Sequence, residues 1–578
     1  MSPTSLSEED VPCTPIEGAL NSPALSAPSV RPAFELPVSA QPDVPSDAWY
    51  AGLKTEPVKV EETTVKPSFK STHWIALLLI LASCGLSVLW GAALMHGVSG
   101  GMTDFKALYS GARCLIQQAD PYKESEFLRV YQADGGTIPA DPVTAGLFRR
   151  AVLVCVNMPS ALFLMLPLAY LPLAVAYTLW MLLMAAGLGL AAFLMWTVGA
   201  RKAPRISLFL LCVLLANCVI LFKDGNAAGI VVGLCAVAAW CFLEDRFVPA
   251  GIVCLALSLA FKPHDAGLVW LYFLLAGGTL RKRALQTLLV TAALCVPAFL
   301  WVSHVAPNWL PEMQSNLHQA AVHGGLNDPG PGSISFHHPD PIIDLQAFIS
   351  VFRDNPRFYV PAAYLVSGSL VLLWAITTMR ARFSRRNAWF ALAAIAALTM
   401  LISYHRQHDA KLLLLTVPAC AMLWAEGGLI RWFALAANTA GIVITGDIPA
   451  TTLSLFTGHM AVGAGIVGHM KTALMVRPAP LFLLVIAILY VWVYVRRAAS
   501  RAETATDTEH SSSWPVRLGD RLQQLPQFGW MLNALAPLAM RPANAPTTPA
   551  KQGSAKVVWA NHPLASNNSA WLQNDREP

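Results

Sequence analysis

Four short polar stretches stand out because their side chains can do chemistry and because most of the chain around them is apolar. Asp104, in TDFKALYSGARCLIQQADPY (Thr103 to Tyr122), carries a carboxylate that either takes a proton from an attacking hydroxyl or caps the helix that follows it. Lys262, in Lys262-Pro263-His264-Asp265, ends an apolar run. An ionisable residue at membrane depth costs about 2.5–3.5 kcal/mol, which a lipid phosphate would offset unless the side chain simply snorkels. Tyr404-His405-Arg406-Gln407-His408-Asp409 is the densest polar cluster in the apolar region. The fork of Arg406 matches phosphate oxygens. The spacing of His405 and His408 also allows a metal, but no companion cysteine or acidic set supports one; phosphate contact and a solvated helix cap are the other readings. In Lys223-Asp224-Gly225-Asn226 the polar groups either orient a sugar hydroxyl or make a turn, and the turn dipeptides favour the latter.

The elements that must position these residues are membrane helices. Of 578 residues, 55% are hydrophobic and 13% charged, against roughly a quarter charged in a soluble domain. Several runs approach or exceed the roughly 18 apolar residues that a spanning helix needs. The expected fold class is an all-α polytopic membrane protein. A net charge of +6 fits basic cytoplasmic loops and implies no nucleic-acid partner. Most of the eleven cysteines, such as Cys212, Cys235 and Cys254, fall within apolar runs and read as small core residues rather than a disulfide framework.

Residues 1–71, rich in Pro, Ser, Glu and Val, are expected to be a disordered cytoplasmic tail. The run His73 to Met95 then reads as an uncleaved signal anchor, with Lys54, Lys59, Lys66 and Lys70 holding the N-terminus in the cytoplasm. After it, Phe105, Leu108, Ala112, Leu115 and Ile116 recur near helical spacing, predicting a short amphipathic helix at the membrane surface, stopped by Asp120-Pro121. Between Ala151 and Gly199 the breaks at Asn157-Met158-Pro159 and Leu171-Pro172 predict one full pass plus a short or re-entrant helix.

Further along, RKAPR (Arg201 to Arg205), EDR (Glu244 to Arg246), RKR (Arg281 to Arg283), RARFSRR (Arg380 to Arg386), EGGLIR (Glu426 to Arg431) and Arg496-Arg497 read as cytoplasmic connections. The connections between them, including every chemically equipped motif, fall on the face of Asp104. The long loop from Ser303 to Arg357, with its dense glycine, proline and histidine, is expected to be a mobile, structureless lid. A membrane domain over residues 72–497 is followed by a mostly disordered cytoplasmic tail, 498–578, with an amphipathic patch at Val516 to Leu538.

The D-F-x-x-x-Y and D-P-Y elements just after the first apolar run, followed by a lysine-proline motif and a histidine-containing segment before Leu412 to Leu415, resemble glycosyltransferase family 87 from roughly Trp74 to Leu414. Members are GT-C class enzymes that use polyprenyl-phosphate sugars. The resemblance implies about 11–13 transmembrane helices, amphipathic helices in an extracytoplasmic first loop, and an active site at the outer face of the cell membrane. It also implies transfer of a mannose-like hexose or a pentose, with inversion, to a cell-envelope glycolipid or glycan. Asp104 takes the general-base role. Lys262, His264, Arg406, His405, His408, Tyr122 and Asn226 are expected to contact substrate. No cofactor is expected beyond the lipid-linked donor.

Two places depart from the family: Lys223-Asp224-Gly225-Asn226 stands where Gly-Gln-x-Asn is usual, and Asn157-Met158-Pro159-Ser160 where an aromatic-proline-proline opening is usual. The alternative reading is a transporter or lipid flippase, although no internal repeat suggests inverted halves.

Overall fold

A computed structural model describes residues 69–97, 101–333, 336, 341–457 and 462–509; these described residues fall within one compact unit. The expected tail residues before 69, the motif His337-His338-Pro339-Asp340 and the patch Val516 to Leu538 lie outside the described residues. The described chain is α-helical, and its one β-type contact is an isolated bridge between Ile342 and Arg406.

The helices are α1 (Phe69–Gly97), α2 (Thr103–Ile116), α3 (Glu124–Ala133), α4 (Pro142–Phe148), α5 (Pro159–Ala169), α6 (Leu173–Gly199) and α7 (Pro204–Ala216). Next come α8 (Val219–Asp224), α9 (Ala228–Glu244), α10 (Val248–Phe261), α11 (Pro263–Leu275), α12 (Gly278–Val305), α13 (Trp309–Ala321) and α14 (Leu345–Ile349). The last are α15 (Pro356–Arg380), α16 (Arg385–Ile402), α17 (Thr416–Glu426), α18 (Gly428–Ile444), α19 (Asp447–Thr457), α20 (Gly465–Val476) and α21 (Ala479–Glu509). Proline opens several of them, at Pro159, Pro204, Pro263 and Pro356, where its missing N–H costs no helical bond.

Six helices, α1, α6, α12, α15, α16 and α21, contain stretches long and apolar enough to cross a membrane, or seven spans if α18 and the start of α19, bent by 58°, count as one. The resemblance implied 11–13. Among the described residues, α5, α7, α9 and α10 are apolar but only 11 to 17 residues long. At 1.5 Å per residue, even the longest reaches about 25 Å, short of a roughly 30 Å hydrocarbon layer. Leu285, Leu289 and Leu300 on α12 and Leu365 and Leu372 on α15 lie exposed, as lipid-facing residues would. By contrast α16 is buried almost throughout and packs against α11, α15, α17 and α21.

The break between Ala151 and Gly199 takes the expected form, one long helix (α6) preceded by a short one (α5). Helix α2 differs in two respects. It ends at Ile116, where Gln118 adopts a positive φ of 54°, rather than at Asp120-Pro121. It is also enclosed by protein, with Phe105, Leu108, Ala112, Cys114 and Leu115 buried and α5 and α3 packed against it, instead of lying open on a surface. The final helix continues to Glu509, past the end of its apolar run.

The structureless lid expected from Ser303 to Arg357 is also corrected. Helices α13 and α14 form within it, and buried Asp328 accepts hydrogen bonds from the amides of Gly324 (2.7 Å) and Gly330 (2.9 Å) and from the Tyr359 hydroxyl (3.2 Å). One carboxylate thus satisfies the glycine-rich backbone whose composition suggested looseness.

The expected cytoplasmic connections meet at one end of the helices. Arg201 holds Glu244 through two bonds of 3.0 Å, with Arg385 3.5 Å from the same carboxylate. Arg283 pairs with Asp245, and Arg386 and Arg497 converge on Glu426. Helix α9 runs from beside Asn226 to Glu244, and α16 runs from Arg385 to the segment containing His405. The polar motifs therefore occupy the other end.

Candidate functional site

At that other end, the Asp104 half is set by how α2 begins. Its cap residue is Met102, in a left-handed conformation (φ 66°) with no side-chain cap, so the capping role open to Asp104 is not taken up. Instead, the Asn226 amide donates to Asp104 Oδ2 at 2.7 Å, while Asn226 Oδ1 accepts from the Ala228 amide at 2.8 Å. Among the described residues no donor occupies Asp104 Oδ1.

The turn that delivers Asn226 depends on Gly225, whose φ of +64° ends α8 and whose hydrogen faces Phe105 so closely that a Cβ would lie 2.7 Å from that residue's Cβ. Lys223-Asp224-Gly225-Asn226 is thus a turn, as its dipeptides suggested, and Asn226 is a partner of Asp104. Further bonds fix the junction: Met102 N to Lys223 O (2.9 Å), Tyr177 Oη to Phe222 O (2.9 Å) and Trp180 Nε1 to Gly225 O (2.8 Å).

The Lys262 half is set by a proline. Pro263 disfavours helical geometry in the residue before it, and Lys262, at φ −147°, breaks the chain between α10 and α11. Its ammonium donates to Asp409 Oδ1 and lies 3.2 Å from Asp265 Oδ2. Asp409 Oδ2 accepts from the Arg406 amide at 3.0 Å. Asp265 Oδ1 lies 3.1 Å from His405 Nε2 and 3.7 Å from His264 Nε2, and the two imidazoles meet edge-on at 5.1 Å. His408 Nε2 is 3.6 Å from Asp409 Oδ1.

Burial works against the charge of Lys262, but the two carboxylates outweigh it and raise its pKa. Burial likewise opposes ionisation of Asp409, yet Lys262 and the neighbouring histidines hold it well below the usual carboxylate range. His405 is raised above the ordinary histidine value because Asp265 and Asp409 outweigh its desolvation.

The halves are joined by an aromatic bridge. The ring of Trp180 lies 5.9 Å from that of Phe105, the neighbour of Asp104, and 6.1 Å from that of Phe261, the neighbour of Lys262. Phe105 and Phe261, far apart in the chain, therefore flank one buried indole.

Two expected contacts are placed elsewhere. Tyr122 is buried, its hydroxyl donating to Asn157 O at 2.9 Å and its ring 6.2 Å from Trp309, so it holds the scaffold between α5 and α13. Arg406 Nε donates to the Tyr404 hydroxyl, and its Nη2 donates to Leu326 O (2.9 Å) and approaches Asn327 Oδ1 (3.5 Å), fastening the loop after α13 to the polar segment.

Residues not selected from the sequence also matter. Asp265 and Asp409 organise the basic residues, and both motifs ending in aspartate was the available signal. Buried Lys411 pairs with Asp447 at 2.8 Å, and Asp447 Oδ2 accepts from the amides of Ile220 (2.6 Å) and Leu221 (3.2 Å), anchoring the start of α8. Asp447, beside Gly446 in a short turn, gave no signal in the sequence. His264 Nε2, Asp265 Oδ1 and His405 Nε2 are close enough together to hold a metal ion, a different trio from the His405 and His408 pair weighed from spacing alone.

An all-helical bundle with apolar spans and a polar, two-part site at one end defines a polytopic membrane protein. Residues 156–403 match the model of glycosyltransferase family 87, which bears out the resemblance seen in the motifs: the chain carries a region of that family, and the match supports a membrane glycosyltransferase. The matched region includes Asn226, Lys262 and Asp265, whereas Asp104 and His405 to Asp409 flank it. No curated protein and no solved structure matches the chain.

Proposed function

We propose that this protein transfers a mannose-like hexose or a pentose from a polyprenyl-phosphate sugar to a cell-envelope glycolipid or glycan, with inversion, at the outer face of the cell membrane. The observation that carries the reading is the hydrogen bond between Asn226 and Asp104, which leaves Asp104 Oδ1 facing no described donor beside the helix ends. In the proposed reaction Asp104 removes the proton of the acceptor hydroxyl as its oxygen attacks the anomeric carbon. The bond from that carbon to the phosphate oxygen breaks, and its electron pair leaves with the polyprenyl phosphate. Growing negative charge on the phosphate is met at the Lys262, His264 and His405 end. The outward orientation is supported by the basic connections gathered at the opposite end of the bundle.

The test is incubation of purified protein with labelled polyprenyl-phosphate hexoses and pentoses and cell-envelope extract, followed by identification of the labelled product and its anomeric configuration. No labelled product from any donor, under conditions where the protein stays folded, would overturn the reading. So would substrate counterflow in vesicles without formation of a glycosidic bond.

A further inference from the structure

The Lys262 half of the site has a charge problem. One ammonium faces two carboxylates, Asp265 and Asp409, so with neutral histidines the cluster carries a single negative charge. That is a poor surface on which to gather phosphate charge.

His405 shows where the missing positive charge belongs. Its Nδ1 lies 2.9 Å from the carbonyl oxygen of Ser403, which only accepts, so Nδ1 carries the hydrogen. The neutral ring therefore aims the lone pair of Nε2 at Asp265 Oδ1, 3.1 Å away. Two lone pairs at that distance repel unless a proton or a metal cation lies between them. Both side chains are buried, at 0% and 2% exposure; Asp265 Oδ2 faces the Lys262 ammonium at 3.2 Å, so among the described residues Asp265 Oδ1 and His405 Nε2 are left facing each other.

From these observations we propose that His264 Nε2, Asp265 Oδ1 and His405 Nε2 form a binding site for one divalent transition-metal ion of the zinc class. The three atoms lie within 4.8 Å of one another, and two of the separations, 3.1 and 3.7 Å, bracket the roughly 3.3 Å between ligands around a tetrahedral ion with bonds of about 2.0–2.2 Å. Two imidazoles and one carboxylate are a donor set suited to such an ion. The bond from His405 Nδ1 to a backbone carbonyl is the outer support that metal-bound histidines use to fix their tautomer. Asp265 divides its oxygens between the proposed ion and Lys262. His264, 43% exposed, stands on the open side, where a fourth ligand can enter. On the proposed glycosyltransferase reading, that ligand is a phosphate oxygen of the donor, and the ion changes the charge of the cluster from negative to positive.

The experiment uses the full-length protein in detergent, stripped with a chelator and titrated with Zn²⁺ by equilibrium dialysis, and with Co²⁺ by absorption of its d–d bands, without donor or acceptor. One ion per chain is expected. His264→Ala, a substitution of a half-exposed ring, should weaken binding at least about 10-fold, the lower end of what outer supports alone contribute. His405→Gln should do the same. His318→Ala, at an exposed histidine on α13, should leave binding unchanged. Absence of wild-type uptake, or uptake undiminished in folded His264→Ala protein, would overturn the site; only a proton then answers the lone pair of His405. Sugar transfer by protein that binds no metal would sink this inference and leave the glycosyltransferase reading standing. Stoichiometric metal binding by a protein that transfers no sugar would support the site and remove that reading.

Discussion

Asn226 and Asp104, 122 positions apart in the chain, are joined by a 2.7 Å hydrogen bond that sets one carboxylate oxygen and leaves the other facing no described donor. A base held in this way keeps its orientation without the helix-capping role that its place near the start of α2 offered. Asp104→Asn should lower transfer by about 10²- to 10⁴-fold, the usual contribution of a positioned base. The protein should remain inserted and folded, because no other described side chain depends on this oxygen. Near-normal transfer by the folded variant would remove Asp104 from the chemistry.

Gly225 is the residue on which delivery of Asn226 depends. Gly225→Ala adds a Cβ 2.7 Å from Phe105 Cβ in a backbone conformation that costs a non-glycine residue about 1–2 kcal/mol. A lower melting temperature in detergent is expected, together with a fall in kcat larger than that of an Ala substitution at Gly267, where a Cβ would meet nothing within 4 Å.

Removing one member of the Lys262 cluster should cost more than removing a matched pair. Lys262→Met leaves two buried carboxylates without their ammonium, and a broken buried pair costs about 3–5 kcal/mol. Adding Asp409→Leu should recover part of that loss. Urea or thermal unfolding of the single and double variants gives the coupling, and strict additivity would show that the pair is not energetically linked.

The pH dependence of stability in metal-free protein follows from the same cluster. Asp265 and Asp409 are buried, which opposes ionisation, but Lys262 and the histidines depress both pKa values. Their contribution is present above the ordinary carboxylate value near 4 and is lost as pH falls through the depressed folded values. His405, raised despite its burial, contributes fully below the ordinary histidine value near 6.5 and loses that contribution as pH rises through its folded value. Melting temperature should therefore be greatest between roughly pH 4 and 6.5 as far as this cluster is concerned, and His405→Gln should flatten the alkaline side of the profile.

Lys411 and Asp447 are expected to act through α8. Asp447→Asn should keep a polar partner for the α8 amides yet leave Lys411 without its counter-ion, and Lys411→Met should leave the buried Asp447 carboxylate without its own. Both should lower stability. If α8 sets Asn226, kcat should fall with little change in KM, whereas a purely structural role would move the melting temperature alone.

Much of this was legible in the chain. The apolar runs, the prolines at helix starts and the alternation of basic and polar connections define the helices and divide their ends, because hydrophobic length and charge are local properties of sequence. Lys262-Pro263 also announced its own break. Other features had no local mark. Asp328 helped turn a glycine-rich segment from an expected lid into an ordered one, Tyr122 went to the scaffold, and Arg406 was spent on the loop after α13.

Sequence by itself determined that this is a helical membrane protein with a region matching family 87 and which motifs carry charge. Only the tertiary structure decided which charges meet: Asp265 and Asp409 around Lys262, and Asp447 beneath α8. The physical reason is range. Helix formation and insertion are settled within a few turns of chain, whereas a buried ion pair exists only once packing has removed water from two segments that, along the sequence, lie 147 residues apart.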